Sequence, residues 1–111
     1  MLILLENPIN EQQLKQVSED LDGYIKFVVD LEQDVLVAGG LRHVDAEQLL
    51  VKNGSKQSNL WGGGWDSETD QVDYDSMINI RPNQGNLSRE VLSEEIRAQI
   101  LKIVNKLLRK I

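Results

Sequence analysis

The sequence predicts an α+β fold: a small antiparallel or mixed sheet with two main helices packed on one face. Three observations predict it. Apolar residues recur at helical spacing in two separated stretches: Leu14, Val17 and Leu21 near the start, and Ile96, Ile100, Ile103, Val104, Leu107 and Ile111 at the end. Between them "YIKFVVDLE" (24–32) alternates, with Ile25, Phe27, Val29 and Leu31 on one face and Lys26, Val28, Asp30 and Glu32 on the other. The 111 residues are one domain's length, and 41% hydrophobic with 27% charged residues is a globular composition. A single domain over 1–111 is expected.

Each element follows from local chemistry. Met1–Leu5 is a short apolar run, a strand that ends before Pro8. Asn10 is a helix N-cap with Gln13 three residues on, Ile9 can staple to Leu14, and Gly23 closes the helix. "VLVAGG" (35–40) lies close enough behind the alternating strand to form a hairpin. Gln33-Asp34 is not a favoured two-residue turn, so the loop is expected to be longer. In "DAEQLLVKNG" (45–54), Asp45 and Gln48 resemble a capping box and Gly54 a helix stop; a strand over Glu47–Val51 stays open. Residues 55–70 read as a long loop, and "QVDYDSMINIR" (71–81) as a strand with Val72, Tyr74, Ser76, Ile78 and Ile80 on one face, stopped by Pro82. The last helix starts near Ser93, with Glu94 and Glu95 at the positive end of its dipole and Lys102, Lys106, Arg109 and Lys110 toward the negative end.

The net charge of −6 is uneven: 15 acidic against 5 basic residues through Ser76, then 3 against 7. Nonspecific nucleic-acid binding is not expected of so acidic a chain. No run approaches the ~20 apolar residues of a membrane helix, and "MLILLENPIN" has neither the basic start nor the apolar length of a signal peptide. A soluble, cytoplasmic protein without membrane contact is expected. The absence of cysteine excludes disulfides, thiol catalysis and thiolate metal sites, and one histidine cannot build a histidine-rich zinc site.

The stretches "GGLRH" (39–43), "NGSKQSNLWG" (53–62) and "SMINIRPNQGN" (76–86), with "EEIRAQILKIVNKLL" (94–108), resemble an uncharacterised bacterial family. That family is common in cyanobacteria and known only as a domain of unknown function. The resemblance spans nearly the whole chain. It implies a small α+β protein and carries over no catalytic residue.

Four constellations carry candidate chemistry. Arg81, Asn83, Asn86 and Arg89 surround a turn at Gly85, where backbone N–H groups and side-chain donors can converge on a phosphate or carboxylate. The plain alternative is a turn shaped by Pro82 and Gly85, with Arg81 paired to Asp73 or Asp75. In "LRHVDAE" (41–47), Asp45 or Glu47 could orient His43 as an acid or base, and Arg81 could stabilise developing negative charge. No nucleophile motif accompanies them. Asp66, Glu68 and Asp70 copy the first spacings of a calcium loop, but Gln71 stands where glycine is needed and Met77 where glutamate is needed. Asp73 and Asp75 leave only a loose magnesium reading. No metal or cofactor is therefore expected. In "WGGGW", Trp61 and Trp65 are interface anchors or core cover; Trp61, after Leu60, reads first as core.

The resulting expectation is a noncatalytic binding or interaction protein. It takes a small anion, a nucleotide or a protein surface through the 81–89 loop. The alternatives are a small hydrolase using His43 and Arg81, or an assembly protein with a tryptophan-containing interface. A homo-oligomer is left open.

Overall fold

Five strands form one sheet: β1 (Leu2–Leu5), β2 (Tyr24–Asp30), β3 (Val35–Gly39), β4 (Leu60–Asp66) and β5 (Gln71–Asp73). Their order is β1-β3-β2-β4-β5, and every neighbouring pair is antiparallel. Three helices complete the fold: α1 (Glu11–Ser18), α2 (His43–Lys52) and α3 (Glu94–Leu107). The structure is a computed structural model describing residues 1–109. Lys110 and Ile111, expected in the basic end and apolar stripe of the last helix, lie outside the described residues.

Local signals place most of these elements. The Asn10 side chain accepts from the Gln13 backbone N–H at 2.8 Å, and the Gln13 side chain accepts from the Asn10 N–H at 3.1 Å. That reciprocal pair satisfies donors the first helical turn leaves free. Ser93 caps α3 with a single bond, its hydroxyl accepting from Ile96 N–H at 3.2 Å. The β2–β3 loop has four residues, held by the Asp30 carboxylate, which accepts from the N–H groups of Glu32 and Gln33.

α1 and α3 pack on one face against Ile25, Phe27 and Val29 of β2, Leu36 and Ala38 of β3, and Trp61 and Trp65 of β4. α2 packs on the other face, where Ala46 and Leu50 meet Val28, Val37 and Leu60. The 45–53 stretch is thus a helix, but it begins at His43. The Arg42 side chain does not cap it and instead pairs with Asp45 at 3.1 Å.

Three expectations are corrected. The first helix, expected to carry Leu21 on its stripe and to close at Gly23, ends at Ser18 with Glu19 as its C-cap. Residues 60–66, expected inside a loop, are an inner strand of the sheet. Its glycines are required by what lies over them: a β-carbon at Gly63 would collide with the Asp73 carbonyl and the Phe27 ring, and one at Gly64 with the Tyr24 phenol. The expected strand over 71–81 ends at Asp73. Ser76 accepts from Ile78 N–H and starts a 3-10 turn over Met77–Asn79, so the chain leaves the sheet and Ile80 is exposed rather than in the core.

Candidate functional site

The last three residues of β4 pair with β5, which leaves Gly62 beyond the end of that pairing. Asn79 takes the place of a strand there. Its side-chain oxygen accepts from Gly62 N–H at 2.9 Å, and its side-chain nitrogen donates to Gly62 O at 2.9 Å. The same nitrogen donates to the carbonyls of Tyr74 and Arg89. This buried amide ties the 74–89 segment to the sheet, as satisfied buried polar groups do.

Above Gly62 sit Ser76 and His43. A β-carbon there would lie 2.8 Å from Ser76 Cβ and 3.1 Å from His43 Cδ2. His43 Nε2 is 2.7 Å from the Gly63 carbonyl oxygen. A carbonyl only accepts, so Nε2 carries the proton and, in the neutral ring, Nδ1 holds the lone pair. Burial holds the His43 pKa below that of a free imidazole. The Gly63 carbonyl opposes the shift, Lys26 adds to it, and Asp73 and Asp75 oppose it more weakly.

A cleft of about 430 Å³ opens beside this ring, lined by Tyr24, Lys26, Arg42, His43, Val44, Asp75, Ser76, Met77, Ile78 and Arg89. Its lining carries three cationic side chains against one carboxylate. Arg42 pairs with Asp45, and Arg89 with Asp75 at 3.0 Å. Lys26 Nζ donates to the Leu41 carbonyl at 3.0 Å and forms no salt bridge among the described residues. The start of α2 borders the cleft, where the first helical N–H groups have no side-chain cap.

The 81–89 loop is divided between scaffold and cleft. Asn86 donates to the carbonyls of Asn79, Ser88 and Glu90 and accepts from Leu92 N–H, which uses both ends of its amide. The N–H groups of Gln84, Gly85 and Asn86 bond the Arg81 and Pro82 carbonyls, so they close the turn instead of converging on an anion. Arg81 is only 7% exposed. Its guanidinium lies 4.3 Å over the Trp61 ring and donates to the carbonyls of Ile78 and Gln57 and to the Gln84 side chain. Nη2 has no acceptor among the described residues, and burial lowers the pKa of the group while nearby Glu47 opposes that shift. Arg81 borders a second recess of about 380 Å³, with Glu47, Gln57 and Gln84. Asn83 is exposed on that recess, and Arg89 alone of the four residues lines the His43 cleft.

A family model described as "Protein of unknown function (DUF5674)" matches residues 3–107. The chain belongs to that family. No curated protein and no solved structure matches the chain. The family match takes in every residue of the His43 cleft, all three helices and nearly all of the sheet. Among the described residues, no helix is long and apolar enough to cross a membrane.

The remaining predicted site residues have other partners. Asp45 bonds Arg42, and the His43 ring bonds Gly63, so the carboxylate does not orient the imidazole. Asp66 accepts from the N–H groups of Glu68 and Thr69 in its own turn. Asp70 accepts from the Trp65 indole N–H and pairs with Arg109, which holds its pKa down at about 2. Asp73 accepts from the Tyr24 hydroxyl at 2.6 Å, and burial followed by that bond pushes the phenol pKa up. Trp61 and Trp65 are 2% and 7% exposed and belong to the α1–α3 core, so neither indole offers the surface an interface anchor needs. Tyr24, Lys26, Arg42 and Ser76 were missed from sequence. Lys26 was placed on the face of its strand away from the core, but nothing local showed that α2 would start beside it.

Proposed function

We propose that the chain is a noncatalytic small-molecule binding protein of the bacterial cytoplasm, including that of cyanobacteria, and that it holds a small anion in the His43 cleft. The observation that carries this reading is the charge of the lining. The lining sets Lys26, Arg42 and Arg89 against one carboxylate, Asp75, in a chain whose net charge is −6; Arg42 is paired outside the lining with Asp45, and Lys26 has no such partner among the described residues. Concentrated cations in a cleft with low-dielectric walls raise the local concentration of anions. Lys26 is the primary ligand, because no carboxylate competes for it, and Arg89 is the contribution of the 81–89 loop. Binding is favoured over hydrolysis because Arg81 is directed to backbone carbonyls in the neighbouring recess, away from His43. It is favoured over a tryptophan-mediated assembly because both indoles lie in the core.

Thermal unfolding in the presence of phosphate, sulfate, small carboxylates and nucleotides tests the reading. An anion at 100 times its Kd adds about 2.7 kcal/mol to stability. The expected result is a shift with at least one anion that disappears in Lys26→Ala. No shift with any of them sinks the proposal.

A further inference from the structure

Resting on that reading, the geometry points to an organic phosphate monoester as the ligand, with its phosphate on Lys26, Arg42 and Arg89 and an apolar body on Met77, Val44 and Ile78. Size is the first argument. A cleft of about 430 Å³ falls in the roughly 300–1,000 Å³ range of small-molecule sites. A lone inorganic ion would leave most of that space to water.

The second argument is that the lining has two kinds of wall. The three cations stand at the start of α2. Arg42 spends Nε and Nη2 on Asp45 and Arg89 spends Nε on Asp75, and the N–H groups left on both arginines together with the Lys26 ammonium still offer more donors than a two-oxygen carboxylate accepts. Opposite in chemistry are Val44, Met77 and Ile78. Met77 is 64% exposed on its 3-10 turn and Val44 is exposed on the first turn of α2. A methionine side chain is flexible and polarizable and moulds itself to a flat or irregular apolar surface. Neutral His43 adds an acceptor at Nδ1, suited to a hydroxyl or N–H on the ligand body. Neither Val44 nor Met77 joins the apolar layer between α2 and the sheet, which leaves both free to cover a ligand.

Calorimetric titration of the whole chain with inorganic phosphate, methyl phosphate, phenyl phosphate and benzoate tests this. Phenyl phosphate is expected to bind about tenfold more tightly than inorganic phosphate, with methyl phosphate between them, because covering a ring face removes apolar surface from water. Met77→Ser is expected to collapse the ratio of phenyl to inorganic phosphate affinity, and Lys26→Ala to weaken every phosphate. Equal affinities for phenyl and inorganic phosphate overturn the apolar-body inference while leaving the anion site in place. Benzoate binding better than phenyl phosphate overturns the phosphate assignment alone. No binding by any of the four overturns this inference, and the anion reading then rests on the broader thermal screen.

Discussion

On one face of the sheet, α1 and α3 cover an apolar layer that runs from Leu5 to Leu108. On the other face, α2 buries a smaller set, Val28, Val37 and Leu60 with its own Ala46 and Leu50, and Leu2, Leu4, Val35, Leu49 and Ile78 pack partly buried around it. Buried Ser76 and Asn79 gather beside this smaller layer, together with the His43 cleft, and Arg81 and Glu47 border the adjoining recess. The contrast separates two duties. The large layer removes apolar side chains from water without regard to direction, which is what drives folding. The α2 side is built from directional bonds, Asn79 to Gly62 and His43 to Gly63, which set where charged groups stand around a cleft.

The largest expected effect breaks the large layer. Phe27→Ala should cost about 3–5 kcal/mol in urea unfolding, because the side chain is fully buried and its loss leaves a cavity. Leu50→Ala, on the α2 face, should cost less, toward the ~2 kcal/mol end of the range for leucine. Equal costs would show that the α2 layer is as cohesive as the other and erase the comparison.

A smaller effect sharpens it. Asn79→Ala should cost about 1–3 kcal/mol, since it leaves buried backbone groups of Gly62 and neighbouring carbonyls without partners. Hydrogen exchange should become faster at Gly62 and over 74–89 while Phe27 and Val29 stay protected. Uniform loss of protection would mean that the two faces unfold as one unit.

The smallest effect is a pH dependence. Burial depresses the His43 pKa below its unfolded value of 6.5, so the unfolded chain takes up the proton first. Stability from this group is fully present above pH 6.5 and is lost as pH falls through the depressed folded pKa. The His43→Gln variant should flatten the thermal-stability profile in that window. The losses tied to Asp20 and Asp70, whose pKa values are also depressed, belong to lower pH, below the ordinary carboxylate value of 3.8. A wild-type profile that stays level from pH 7 down to 4.5 would contradict the burial argument.

Legibility followed the range of the interactions. The caps at Asn10 and Ser93 were readable because each joins residues three apart. The core face of β2 was readable because alternation of Ile25, Phe27 and Val29 is carried within one strand. The candidate site was much less readable. His43 and Arg89 lie far apart in the chain, and nothing near either residue in sequence points to Lys26 as their neighbour across the cleft. Asn86 looked like a ligand donor, yet its bonds reach Asn79 on one side and Leu92 on the other.

The sequence by itself determined the α+β class, the two main helices with their N-caps, and the hairpin of β2 and β3, because short-range hydrogen bonds and apolar spacing specify them. It also identified the kind of family to which the chain belongs, through stretches spread along its length. Only the tertiary structure decided that "WGGGW" is an inner strand. Glycine has little strand preference of its own, and its place there depends on Tyr24, Phe27 and His43 lying over it from distant parts of the chain. Only the tertiary structure turned Arg81 onto Trp61 and brought Lys26, Arg42 and Arg89 around one cleft. Such placements depend on contacts between residues tens of positions apart, which no local pattern records.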